Sequence, residues 1–378
     1  MYPHGRIWFI VGTRPECIKQ APVCAACRSA AAPDLVSLVG TGQHRELLQT
    51  ALEDFGLRLD ANFDIMKKGQ SLPSIMAAVL TNFEALATRG RPDWVVVQGD
   101  TTTACAAALA AAQMGIKIAH NEAGLRTYDA KNPFPEEANR RVIASLADLH
   151  FAPTERARTA LLGEGIADSR IHVVGNPGID SFLAMLEREP PAATADLVRR
   201  IKGEGQDIVL LTAHRREAKG RGMDHLFRAM KSFLTRNPSY SLVYPVHPND
   251  ISAAAAESHI ASLAAQTYIV PAMDYASLCH VLSVARLVVT DSGGIQEEAA
   301  TLGIPTVVCR RVTERQEAIE LGIARVAGLD ERGITESLEW AHELFSKRQD
   351  HWDERPFGDG ASGPRIAEIL LAELAAET

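Results

Sequence analysis

Along the first half of the chain, short, mostly apolar, β-rich runs alternate with longer stretches whose apolar residues recur at helical spacing. The runs are residues 7–11, 35–39, 94–98, 116–121, 150–152 and 171–174, and each ends in a polar loop. Between them lie Ala- and Leu-rich segments such as 105–114 and 139–147. A nearly continuous apolar run fits a strand covered on both faces, and strands separated by helices pair in parallel. The same pattern restarts at 208–212, 241–245, 268–270, 287–290 and 306–309. The expectation is therefore an α/β protein built of two Rossmann-like, doubly wound domains. Residues 1–180 form the first, and residues 181–360 form the second, with a ligand cleft between them. The division is placed just after Asn176, ahead of the polar, proline-containing stretch 187–195. Residues 364–374 predict an amphipathic helix that closes the chain.

Composition narrows the class. A chain of 378 residues suits two domains better than one core. No apolar run approaches the roughly 18 residues that would span a bilayer, and Arg6 leads directly into a short apolar run closed by Gly12. That N-terminus predicts a buried strand, not a signal peptide. A net charge of −8 argues against nucleic acid or an anionic membrane as partner, so any functional cations are local. Six scattered cysteines give no disulfide framework and suit a reducing, cytoplasmic compartment. Cys24 and Cys27 form an isolated C-x-x-C without the second ligand pair that zinc needs, so they predict small residues packed along a helix.

The polar strand ends carry the candidate chemistry. Gly12-Thr13-Arg14-Pro15-Glu16 follows the first strand, with Lys19 one turn into the next helix. Arg14 and Lys19 at a helix start can hold a diphosphate, or the segment is a solvated turn. Gly42-Gln43-His44-Arg45-Glu46 follows the second strand. Asp100, in Gln98-Gly99-Asp100-Thr101-Thr102-Thr103, stands at the sheet mouth, where it serves chemistry or caps the helix beginning near Thr101. His120-Asn121-Glu122-Ala123-Gly124-Leu125-Arg126-Thr127 follows the next strand, and Pro135-Glu136-Glu137-Ala138-Asn139-Arg140-Arg141 follows a proline-bounded loop. Three carboxylates, Asp100, Glu122 and Glu136, can thus converge at one edge. In the second half, His214 and His247 each end a strand. Asp291-Ser292-Gly293-Gly294-Ile295-Gln296-Glu297-Glu298 spells strand, glycine turn and helix. The amides of Ser292, Gly293 and Gly294 can cradle phosphate oxygens there. Glu298 is placed to accept ribose hydroxyls, and Thr313-Glu314-Arg315 offers a further cation. No G-x-G-x-x-G follows the first strand and no Walker-type loop occurs, which removes support for a dinucleotide cofactor or an NTPase.

Taken together, GTRPE, GQHRE, QGDTTT, HNEAGLRT, PEEANRR, AHRRE, YPVHPN, DSGGIQEEA and TERQEA resemble the non-hydrolysing UDP-N-acetylglucosamine 2-epimerase family, in order and over nearly the whole chain. The resemblance implies two Rossmann domains of the GT-B type, UDP held mostly by the second, and a C-terminal helix (361–378) returning to the first. It implies acid/base roles for Asp100, Glu122 and Glu136, and places His214 near the diphosphate. Arg14, Lys19, Gln43, His44, His247, Leu278, Ser292, Gly293, Gly294, Glu298 and Arg315 become substrate contacts. Leu278 stands where the family has an aromatic that meets uracil. Other departures fall at Asn121, Ala218, Arg311-Val312, Gln316 and Gly175–Asp180, and leave the catalytic set intact.

The reaction implied is reversible C2 epimerisation through elimination and re-addition of UDP, with no cofactor and no metal. A homodimer is the implied assembly. The competing functions are the same chemistry on a 3-acetamido or uronate UDP-sugar, a hydrolysing epimerase, a GT-B glycosyltransferase, and a silent UDP-sugar-binding protein.

Overall fold

The predicted runs become strands of two parallel sheets. A computed structural model describes residues 5–30, 33–42, 45–67, 69–213, 221–246, 266–347 and 352–376. The first sheet contains β1 (Ile7–Val11), β2 (Val36–Gly40), β3 (Ala61–Asn62), β4 (Trp94–Gln98), β5 (Lys117–Asn121), β6 (Leu149–Ala152) and β7 (Ile171–Val173), in the order β3-β2-β1-β4-β5-β6-β7. The second contains β8 (Asp207–Thr212), β9 (Tyr240–Val246), β10 (Thr267–Pro271), β11 (Ala285–Thr290), β12 (Thr306–Val308) and β13 (Ala324–Val326), in the order β10-β9-β8-β11-β12-β13. Every pairing in both sheets is parallel. The α/β class and the two doubly wound sheets expected from the pattern are thus present.

Burial explains why these runs read as strands. β1, β2 and β4 are buried at every position, because helices cover both faces of a parallel sheet. On one face of the first sheet Trp8, Ile10, Val95 and Val97 pack with Val79 and Phe83 and with the Ala-rich helix Thr102–Gln113. In the second, Val209, Leu211, Leu242 and Tyr244 pack with Phe227, Met230 and Phe233 of the helix Arg221–Arg236. Cys24 and Cys27 lie buried on the helix Arg14–Ala30, and burial pushes their thiols up to about 11 and 12. They behave as small core residues.

The chain forms two compact units, Met1–Leu183 with Phe357–Thr378, and Ala184–Pro356. It passes from one to the other inside the helix Pro177–Leu186. The helix Ser362–Ala376 belongs to the first unit, where Ile366, Ala367, Leu370 and Leu374 are buried. Its Gly363 amide donates to Asp180 at 2.7 Å, and a Cβ at Gly363 would come within 2.8 Å of the Pro22 backbone. The terminal helix thereby braces the helix Arg14–Ala30, which carries Arg14 and Lys19. Among the described residues no helix is long and apolar enough to cross a membrane.

In each sheet the strand order reverses next to the first strand, between β1 and β4 and between β8 and β11. Loops leaving the carboxyl ends of strands on either side of such a reversal diverge, and the opening they leave is where doubly wound proteins bind ligands.

Candidate active site

At the reversal point of the first unit, Glu16 organises the turn after β1. Its Oε2 accepts hydrogen bonds from the Gly12 amide (2.9 Å), the Thr13 amide (2.7 Å) and the Thr13 hydroxyl (2.9 Å), and its Oε1 accepts from Thr101 Oγ1 (2.6 Å). Thr13-x-x-Glu16 is thus a capping arrangement for the helix Arg14–Ala30. Burial pushes the Glu16 carboxyl up, against the pull of its hydrogen bonds from Thr101, Gly12 and Thr13. The same carboxylate ties the turn after β1 to the turn after β4.

Asp100 does not cap the helix that follows it. Thr101 takes that role, its side chain accepting from the Ala104 amide. The Asp100 carboxylate instead meets Arg140, with Oδ2 2.8 Å from Nε and 2.7 Å from Nη2, and its carbonyl accepts from Asn139 Nδ2 at 2.8 Å. Arg140 and Asn139 lie on the helix Glu136–Leu146, whose first residue is Glu136. The structure thereby brings the start of that helix to the end of β4. Glu136 is half-buried, and its Oε2 is enclosed without a hydrogen-bond partner among the described residues.

Glu122, just past β5, has φ of +61°, a left-handed conformation that costs a non-glycine residue free energy and turns its side chain into the strand-end cluster. Its Oε1 pairs with Lys19 Nζ and accepts from Asn176 Nδ2 at 3.0 Å, while Oε2 accepts from Gln98 Nε2 at 3.0 Å. A Cβ at Gly99 (φ +64°) would approach Glu122 Oε2 to 3.1 Å, so the residue before Asp100 leaves room for this carboxylate. Lys19, Asp100, Glu122 and the Glu136 helix are therefore neighbours in one unit. Arg14, half-buried, begins the helix that carries Lys19.

In the second unit the turn after β11 runs into the helix Gly293–Thr301. The Ser292 amide already donates to Thr290 Oγ1 at 2.9 Å, which leaves the amides of Gly293 and Gly294 to open the helix. Early helix amides lack intrahelical partners and attract anions. A Cβ at Gly293 would fall 2.7 Å from Arg315 Cζ, so only glycine lets the guanidinium lie against the helix start. Arg315 is fixed there by Glu297 Oε1, 2.8 Å from Nε, and by Glu314 Oε1, 2.7 Å from Nη1. Glu298 is buried and accepts from the Tyr275 hydroxyl at 2.9 Å. Leu278, half-buried, is one turn beyond Tyr275 on the helix Tyr275–Ser283. Gln43, His44, His214 and His247 lie outside the described residues.

Several supports escaped the sequence reading: Glu16, Gln98, Asn176, Glu137, Arg140, Tyr275 and Glu297. The i, i+3 spacing of Glu137 and Arg140 and the T-x-x-E pattern of Thr13–Glu16 were available signals. The Asn176 contact is not local and had none.

Fold and site together define a doubly wound α/β enzyme with a carboxylate cluster at one reversal point and a glycine-opened helix start beside Arg315 at the other. Residues 28–371 match the family model described as UDP-N-acetylglucosamine 2-epimerase. The chain is 38% identical to UDP-N-acetylglucosamine 2-epimerase of Salmonella typhimurium over 97% of this chain and 98% of that protein. It is 36% identical to that of Bacillus subtilis over 97% and 95%. Among solved structures, UDP-GlcNAc 2-epimerase from Neisseria meningitidis bound to UDP-GlcNAc is similar with a TM-score of 0.89 and 34% identity, over 97% of this chain and 99% of that one. The chain belongs to the UDP-N-acetylglucosamine 2-epimerase family.

Proposed function

We propose that this protein interconverts UDP-N-acetylglucosamine and UDP-N-acetylmannosamine, inverting C2 through elimination and re-addition of UDP. The carrying observation is the gathering of Asp100, Glu122 and the Glu136 helix at the strand ends of the first unit. Family membership supplies the substrate class.

The proton on C2, beside an acetamido nitrogen, is only weakly acidic. Its removal becomes feasible when the C1–O bond breaks in the same sense. The proton passes to a carboxylate base, the C–H electron pair becomes the C1–C2 double bond, and UDP leaves with the C1–O electron pair. In the return direction an acid delivers a proton to the opposite face of C2, and a UDP oxygen re-forms the bond to C1. Base and acid must flank the sugar with different proton affinities, a task for separate carboxylates in separate environments. Arg14, Lys19, Arg315 and the amides of Gly293 and Gly294 balance the charge on the departing diphosphate. Glu298 takes the ribose hydroxyls and Leu278 meets the uracil. His214 stands near the diphosphate, with Gln43, His44, Ser292 and His247 as further contacts. The sequence of steps moves only protons and UDP, so it calls for no redox cofactor and no metal. The working form is a homodimer in the cytoplasm.

The test is proton NMR of the purified protein with UDP-N-acetylglucosamine in deuterated water. Deuterium entering C2 together with UDP-N-acetylmannosamine is the expected result. Release of free N-acetylmannosamine would instead mark a hydrolysing enzyme, and absence of exchange would overturn this substrate.

A further inference from the structure

Behind Asp100 lies a buried pair of charges. Arg140 and Glu137 have side-chain exposures of 3% and 0%, whereas Asp100 keeps 23%. The guanidinium spans the two carboxylates, its Nε and Nη2 on Asp100 Oδ2 and its Nη1 3.0 Å from Glu137 Oε2. Glu137 has a second task. Its Oε2 also accepts from the Thr127 amide at 3.1 Å, and its Oε1 accepts from the Tyr128 amide at 3.1 Å. Those amides begin the loop that runs from the HNEAGLRT segment to Glu136, and Tyr128 there has φ of +61°. One buried carboxylate therefore fixes both the cation behind Asp100 and the entry to the loop that delivers Glu136.

We propose that Glu137 and Arg140 are positioning residues: they set the Asp100 carboxylate and the start of the Glu136 helix as one unit, so that the two proton-transfer groups hold a fixed mutual geometry. The proposal rests on the acid/base reading of Asp100 and Glu136. Glu137 is fully enclosed and Arg140 nearly so, so any effect on turnover passes through the groups they hold. Glutamine at 137 has one acceptor oxygen for three donors, the Thr127 amide, the Tyr128 amide and Arg140 Nη1, and its NH2 would face at least one of them. Lysine at 140 keeps the buried positive charge but replaces a two-ended planar grip with a single point.

The experiment measures kcat, KM, UDP affinity by calorimetry and Tm on the full chain for Glu137→Gln, Arg140→Lys, Asp100→Asn and the double variant Glu137→Leu/Arg140→Met. The expected result is a fall in kcat of about 100-fold in Glu137→Gln and Arg140→Lys, the scale of a misplacement near 1 Å, with KM and UDP affinity changed by less than about threefold. The double variant removes both buried charges together, which avoids a lone buried charge but leaves the Thr127 and Tyr128 amides without their acceptor and Asp100 without its guanidinium. It should fold with a Tm no higher than that of Glu137→Gln and turn over slowly. Wild-type kcat in the double variant would show a merely structural pair and overturn the proposal. If Glu137→Gln does not fold, Arg140→Lys and the double variant decide. An inactive Asp100→Asn beside an Arg140→Lys of normal turnover would overturn the positioning role alone, whereas an Asp100→Asn of normal turnover would overturn the acid/base reading and this proposal with it.

Discussion

The two sheet mouths use the same place in the same topology with opposite signs of charge. After β4, a carboxylate faces outward and a buried arginine supports it: Asp100 on Arg140, with Glu137 behind. After β11, the roles reverse, and the arginine is the held group: Arg315 lies against the helix start with Glu297 and Glu314 as its buried supports. Arg310 in turn neutralises Glu314 at 2.9 Å. In a low-dielectric interior an unpaired charge is costly, so each functional charge needs a counter-charge beneath it. On the proposed function, the sign of the held group sets what each mouth can do. An outward carboxylate on the first unit suits proton transfer, and an arginine beside free helix amides on the second suits a diphosphate.

Opposing variants break this division most directly. Asp100→Asn should lower kcat by about 100- to 10,000-fold, the usual worth of a positioned acid or base. It should leave UDP affinity within a few-fold, because it removes a proton-transfer group without touching Arg315 or the amides of Gly293 and Gly294. Initial-rate kinetics and calorimetry check both halves, and a strong loss of UDP affinity would place Asp100 in the phosphate site instead. Glu298→Ala is the counterpart. It should weaken UDP binding by about 1–3 kcal/mol through lost charge-assisted hydrogen bonds. The Tyr275 hydroxyl that holds Glu298 has its pKa raised well above the ordinary range by burial and by the adjacent carboxylate, so it remains a donor at any working pH. Unchanged UDP affinity in Glu298→Ala would mean the ribose is held elsewhere.

The limits of the sequence follow the same physics. β1 and β4 are visible because both faces are buried, and an unbroken apolar run has few other uses. β3 and β13 go unseen: two and three residues long and partly exposed, they have no apolar run to display. The helix expected at 139–147 begins at Glu136, because Pro135 at its start resembles a loop signal as much as a helix entry. That shift moves Glu136 and Glu137 from a loop onto a helix and makes Glu137 and Arg140 neighbours. The outward groups stood out in the sequence as charges at strand ends. Their supports did not, since a buried Glu297 and an exposed glutamate are the same letter until the fold encloses one of them.

A milder contrast between the units concerns acid. His120 and His150 face one another in register on β5 and β6, both fully buried. Burial lowers His120 to about 4, with Arg126 and Arg140 opposing its charge and the Gly99 carbonyl and Glu122 favouring it. Burial, then His120 itself, lowers His150 to about 3. Among the described residues of the second unit no histidine is comparably buried. Above the ordinary histidine value of 6.5 both rings are neutral folded or unfolded, and full stability is present. Below it the unfolded chain takes up protons that the folded unit refuses until about 4 and 3, so stability is lost as pH falls through that window. At pH 5.5 the loss is about 1.4 kcal/mol for each ring. Hydrogen exchange at pH 7 and 5.5 should therefore show protection falling in β5 and β6 before β8 and β9, and His150→Phe should flatten that dependence. Parallel loss in both units would mean that acid acts on a group they share, and the histidine pair would then be a passive part of the core.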